Sequence, residues 1–194
     1  MQQTIKNHLL FKTTKSLSIN ALYRTPNPLH QDLLKMASPT ILSTICLVGF
    51  LLAPISNAQN SPEDFVDTHN DVRAAVGVGP VSWDDNLAVY AQNYAYSKIE
   101  TCEMEHSNGP YGENLAEGYG EMTAVEAVKF WATEKKFYNH HLNQCVGDEC
   151  GHYTQIVWRD TKNIGCARVK CENNWVFVIC SYYPPGNYVG QYPY

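Results

Sequence analysis

Two histidines and two glutamates carry the chemistry this sequence offers. Glu134 follows Trp131 by three residues and Ala127 by seven, and Ala124 and Val128 fall on the same helical face. The spacing therefore puts a carboxylate on the buried side of a helix. Burying it unpaired would cost several kcal/mol, so a partner must lie close, and His106 and His152 are the candidates. Glu113 sits seven residues after His106 in the glycine-rich run 106–114, a compact loop able to hold both side chains in one cleft. Two His and two Glu suit general acid–base work, a divalent metal, or a polar network in which they satisfy one another. These residues alone do not choose among the three. No nucleophile elbow, H-E-x-x-H helix or phosphate loop accompanies them. His69 reads as a core histidine on a helix face, and His140 and His141 as solvated loop residues, so none of the three is assigned to the site.

Helices come first among the elements that must position this constellation. Ser61 is an N-cap for a helix that opens with Pro62, Glu63 and Asp64, buries a stripe of Phe65, His69, Val72 and Val76, and stops at Gly77. A second helix starts near Asp84 with Leu87, Ala88, Ala91, Tyr94 and Ala95 inward, and a third spans 123–136 with Ala124, Ala127, Val128 and Trp131 inward. Beyond His152 the residues turn β-branched and aromatic, predicting strands at 153–158, 164–169 and 175–183 before a Pro-, Gly- and Tyr-rich tail from Pro184. Helices followed by an antiparallel sheet imply an α+β fold in layers.

The chain starts with a polar, mildly basic extension, 1–35, which the native product is expected to lack, with Met36 as the true start. The apolar run 41–55 ends in Ser56-Asn57-Ala58, the small-x-small pattern of a cleaved signal peptide, here 36–58. Secretion would leave a mature chain from Gln59. Five of the 14 Lys+Arg and one of the 19 Asp+Glu precede Gln59, leaving 9 cations against 18 carboxylates and a net charge of −9. Such acidity argues against nucleic acid as a partner. Of the 7 cysteines only Cys46 lies in the leader; an even set remains in a secreted chain, as disulfides require. A hairpin centred on Asn173 sets Cys166 opposite Cys180, Cys145 and Cys150 close a short loop, and Cys102 is left to reach Cys171.

These residues also fall into motifs. Residues 151–158, Gly-His-Tyr-Thr-Gln-Ile-Val-Trp, and residues 180–188, Cys-Ser-Tyr-Tyr-Pro-Pro-Gly-Asn-Tyr, resemble the two signatures of the CAP superfamily of cysteine-rich secretory, antigen 5 and pathogenesis-related 1 proteins. His106 with Gly112-Glu113-Asn114-Leu115, and Trp131 with Glu134, add to the match, which spans 59–194 and is nearest the plant pathogenesis-related branch.

The resemblance implies a three-layer α-β-α sandwich with three disulfides and a cleft tetrad of His106, Glu113, Glu134 and His152. It implies no required cofactor, with His106 and His152 as the residues that would take Zn or Mg. It further implies a secreted, extracellular (apoplastic), monomeric defence protein without established catalysis, acting on fungi and oomycetes by binding a sterol or other lipid of the pathogen membrane. A hydrolase using the tetrad and a pure interaction module are the alternatives. The sterol loop would be 137–144, with Phe137, Tyr138 and Leu142 as its apolar lip. The last residues, 184–194, resemble a releasable defence-signalling peptide of pattern P-x-G-N-x5-P-Y, cut between Tyr183 and Pro184 by a processing protease and read by a receptor. Ser181 departs from the asparagine usual upstream of that cut.

Overall fold

The computed structural model describes residues 60–194; the extension 1–35, the signal segment 36–58 and the start at Gln59 lie outside the described residues. Helix α1, Pro62–Ala74, opens on a capping box: the Asp64 amide donates to the Ser61 hydroxyl at 3.2 Å, and the Ser61 amide to the Asp64 carboxylate at 2.8 Å. The buried face is Phe65, His69 and Arg73, with Val72 and Val76 only partly covered. Arg73 displaces the expected valines because its guanidinium donates to the carbonyls of Gly79 (2.7 Å), Ile156 (2.7 Å), Trp158 (2.9 Å) and Thr161 (3.1 Å). Burial holds its pKa down to about 10. Helix α2, Asp85–Ser97, is capped by Asp84 and buries Leu87, Ala91 and Ala95.

Four strands form the main sheet, β1 (Ser82–Trp83), β2 (Gly112–Tyr119), β5 (Asn163–Lys170) and β6 (Trp175–Tyr183), in the order β1-β5-β6-β2. β5 and β6 make the expected hairpin, with Cys166 opposite Cys180, and β2 runs antiparallel to β6 as an edge strand. Alternation along β6 divides the core. Val176, Val178, Cys180 and Tyr182 face Phe65, Trp131 and Ile156, whereas Phe177 and Ile179 face Ala91 and Ala95. Helices α1, α3 (Ala124–Ala132) and α4 (Gly151–Ile156) thus cover one face and α2 the other, giving the α-β-α sandwich. On the α2 side the helix approaches so closely that a Cβ on Gly165 would sit 2.1 Å from the Ala88 nitrogen. The disulfides are Cys102–Cys171, Cys145–Cys150 and Cys166–Cys180, as expected. Among the described residues no helix is long and apolar enough to cross a membrane.

Three expectations need correction. Residues 153–158 form no strand: they lie in and just after α4, whose Tyr153, Thr154, Gln155 and Ile156 are all buried. A helix covered on every side shows no amphipathic period, so its apolar, β-branched run reads like a buried strand. Residues 106–114 are not wholly loop, because β2 begins at Gly112. The third helix ends as α-helix at Ala132 and tightens into a 3-10 turn, Thr133–Phe137. A two-stranded ribbon follows, β3 (Tyr138–Asn139) against β4 (Gln144–Cys145).

Candidate functional site

The four residues resolve into two His–Glu pairs built on one plan. At the start of β2, the Glu113 carboxylate receives His106 Nδ1 at 2.7 Å and the Ser107 amide at 2.9 Å, with the Ser107 hydroxyl on its second oxygen. Burial pushes the Glu113 pKa up, but the bonds from His106 and Ser107 outweigh it and leave the carboxyl below its ordinary value. The same carboxylate raises His106, whose side chain is half exposed. Tyr90 extends this side by donating to the Ser107 hydroxyl at 2.9 Å.

Glu134 lies in the 3-10 turn after α3 and aims its carboxylate at the start of α4. It receives His152 Nδ1 at 2.6 Å, the His152 amide at 2.9 Å and the Tyr153 amide at 3.2 Å. The buried carboxylate predicted from helical spacing is therefore satisfied by His152, not His106, and it supplies acceptors that a helix N-terminus lacks. Trp131 lies under the His152 ring, with centroids 6.3 Å apart and planes 21° from parallel.

Asn114 joins the two sides of the edge strand. It follows Glu113 on β2 and donates to the His152 carbonyl and to the Tyr182 hydroxyl, each at 3.0 Å. The Tyr182 hydroxyl also meets His69 Nε2 at 2.8 Å, and His69 Nδ1 meets the Phe65 carbonyl at 2.7 Å. His69 is thus a core histidine, held neutral by burial with its pKa down to about 4. Sequence reading gave no site role to Ser107, Tyr90, Asn114 or Tyr182; Ser107 and Asn114 stand beside His106 and Glu113 and Tyr182 lies within the 180–188 motif, whereas Tyr90 carried no signal.

Each Nδ1 lies on a carboxylate, which turns the Nε2 lone pair outward, the arrangement a metal-ligating or proton-accepting imidazole needs. Among the described residues, however, no three His, Cys, Asp or Glu side chains converge as a metal site would require. A metal on His106 and His152 would find two protein ligands where zinc uses three or four, so these residues do not by themselves complete a centre. The Ser107 hydroxyl donates to Glu113 and accepts from Tyr90, which ties it into the first pair.

The loop expected to bind sterol is the β3–β4 ribbon. Leu142 at its tip and Val146 beside it are each 53% exposed, and the Val146 amide donates to the Phe137 carbonyl at 2.7 Å. Phe137 is half-buried under the Lys136 ammonium, 4.6 Å from the ring centroid. Tyr138 turns inward instead: its ring lies 6.1 Å from Tyr153 and its hydroxyl donates to Asn143 at 2.9 Å. His140, exposed as expected, also stacks on Tyr194 at 4.7 Å and bonds the Tyr194 main-chain oxygen at 2.8 Å. A distant aromatic partner at the end of the chain is invisible to a local reading of a polar loop.

At the junction expected to be cut, the Tyr183 side chain is exposed, but its carbonyl receives the Lys162 amide at 2.9 Å and the Pro184 carbonyl receives the Thr161 hydroxyl at 2.9 Å. The tail beyond it contacts α4 and ends at the ribbon.

Residues 66–182 match the model of the cysteine-rich secretory protein (CAP) family. The chain is 53% identical over 156 residues to the basic form of pathogenesis-related protein 1 of Nicotiana tabacum, covering 79% of this chain and 88% of that protein. It is 48% identical over 157 residues to pathogenesis-related protein 1 of Arabidopsis thaliana, covering 81% and 96%. Among solved structures, Schistosoma mansoni venom allergen-like protein 4 superposes with a TM-score of 0.54 at 31% identity over 69% of this chain and 92% of that one. With the family's residues spanning the sandwich, the paired histidines and the disulfide-bearing strands, this chain belongs to the CAP family, in its plant pathogenesis-related protein 1 branch.

Proposed function

We propose that this protein acts in plant defence from the extracellular space, taking up a sterol or related membrane lipid of fungi and oomycetes at the β3–β4 ribbon. The observation that carries the reading is the exposure of Leu142 and Val146 on a ribbon braced by Cys145–Cys150, beside the half-buried Phe137. Apolar side chains held out to water on a rigid support favour a flat apolar ligand, whose burial contributes about 25 cal/mol per Å2. A mature charge of −9 gives no pull toward anionic lipid, which leaves apolar contact as the source of affinity. Three disulfides suit an oxidising compartment. The protein works as a monomer and requires no metal.

A second reading stands beside it: residues 184–194 are a stored signalling peptide, freed by a processing protease and read by a receptor. It is favoured by the exposed Tyr183 side chain at the junction and by the intact Pro-x-Gly-Asn-x5-Pro-Tyr pattern. The His–Glu pairs serve as framework in this account. Hydrolysis at the tetrad is the alternative, and it separates cleanly, because changing His106 would abolish hydrolysis and spare lipid uptake.

A hyphal growth assay tests the lipid reading. The secreted chain should inhibit growth, added sterol should relieve the inhibition, and Phe137→Ala/Leu142→Ala should not inhibit. Inhibition unaffected by either change would reject sterol capture as the mechanism.

A further inference from the structure

The tail is bound to the domain by its ends. Asn187, in the left-handed region at φ 58°, accepts from the Thr154 hydroxyl at 2.7 Å and donates to the Gly151 carbonyl at 2.8 Å, a two-point grip on α4. The Gly186 amide donates to Gln155 at 3.0 Å, and a Cβ there would stand 2.7 Å from Trp158, so the position admits only glycine without a shift. At the far end the Arg159 amide donates to the Pro193 carbonyl at 2.7 Å and its guanidinium to the Tyr192 carbonyl at 3.0 Å, while Tyr194 stacks on His140. Between the two anchors the chain bows outward at Val189, which is fully exposed, and Gly190, at φ 82°. The domain grips Gly186, Asn187 and Tyr194 by side chain or shape and the buried Pro193 by its carbonyl, and it also meets Tyr188, whose ring lies 6.1 Å from Trp158, and Tyr192, whose ring lies 5.5 Å from His140. Within the spacer, Asn143 donates to the Gln191 carbonyl at 3.0 Å, while Val189 stands fully exposed.

We propose that the surface formed by α4, residues 158–159 and His140 is a peptide-binding groove of the domain, selective for Gly-Asn-Tyr-x3-Tyr-Pro-Tyr, whose resident ligand is the protein's own 184–194. None of these contacts passes through the Tyr183–Pro184 bond. Scission there removes the tether but leaves the grip, so cleavage and release are separate steps and the nicked protein retains its peptide. Losing the tether lowers the effective concentration of the tail without altering any contact in the groove. The inference rests on the precursor reading only for its biological use.

The test inserts the recognition sequence of a site-specific protease between Tyr183 and Pro184 of the full secreted chain, nicks the folded protein, and passes it over a sizing column at neutral pH. The peptide should co-elute with the domain, and Asn187→Ala/Tyr194→Ala should speed its loss by about tenfold or more, as expected for removing a two-point hydrogen bond and a ring contact. A peptide that elutes free from a domain with unchanged circular dichroism overturns the proposal and leaves the precursor reading intact, since the added protease makes the cut. Should the insertion prevent folding, hydrogen exchange on the unaltered chain decides: the Arg159 and Gly186 amides should be as protected as those of β6. Exchange at unstructured-chain rates would overturn the groove.

Discussion

Replacing Glu134 with alanine asks whether the second His–Glu pair is framework. Three donors converge on this carboxylate: the amides of His152 and Tyr153 and the His152 ring. The two amides sit at the start of α4 and would be partly rehydrated, losing about 1 kcal/mol each, and the charge-assisted ring bond adds about 1 to 1.5. The sum is about 3 kcal/mol. With a guanidinium m-value of about 3 kcal/mol/M, the midpoint should fall by about 1 M with the slope unchanged. Glu134→Gln retains one acceptor oxygen and should lose about half as much, which keeps the comparison readable if the alanine variant has no folded baseline. The assay is guanidinium unfolding of the disulfide-intact secreted chain, followed by tryptophan fluorescence. A loss below about 1 kcal/mol for the alanine variant would refute the capping role and return Glu134 to the pool of groups held for a ligand.

Other perturbations have defined outcomes. Folded His69 has a pKa of about 4 against 6.5 in the unfolded chain, so the unfolded chain takes up a proton first as pH falls from 6.5. Stability should decline across that window by about 3 kcal/mol and level off below it, and urea unfolding should show this slope disappearing in His69→Gln. The His106–Glu113 pair has the opposite sign on its histidine side: with the folded His106 pKa raised, its contribution is complete below 6.5 and lost as pH rises through the folded value. An NMR titration of the His106 ring should therefore give a midpoint above 6.5 that drops in Glu113→Gln; an unchanged midpoint would break the pairing. Arg73→Met keeps much of the volume but strips the donors from four carbonyls, and should cost about 4 kcal/mol in chemical unfolding.

What could be read from sequence depended on range. The hairpin was legible because its register and Cys166–Cys180 follow from symmetry about Asn173, and the first two helices because their caps, Ser61 and Asp84, are local. Glu134 was legible as an anomaly, since a carboxylate in an apolar stripe demands a partner. Its choice of His152 was not, because that pairing depends on α4 being a helix, and a short helix buried on all sides leaves no periodic trace. Arg73 was passed over for the same kind of reason: its four acceptors come from residues 79, 156, 158 and 161, which only the fold brings together. β2 was hidden by the glycines and polar residues around Glu113, which read as loop yet serve an edge strand carrying half the site. The tail motif was visible as a pattern, but its grip on α4 through Asn187 was not.

Equilibrium binding of a fluorescent sterol to the secreted chain bears most directly on the central claim. Saturable one-to-one binding that is lost in Phe137→Ala/Leu142→Ala, at unchanged unfolding midpoint and with His106→Ala still binding, is the predicted result. Absence of binding by the folded wild-type chain, or binding that survives the ribbon variant, would contradict it.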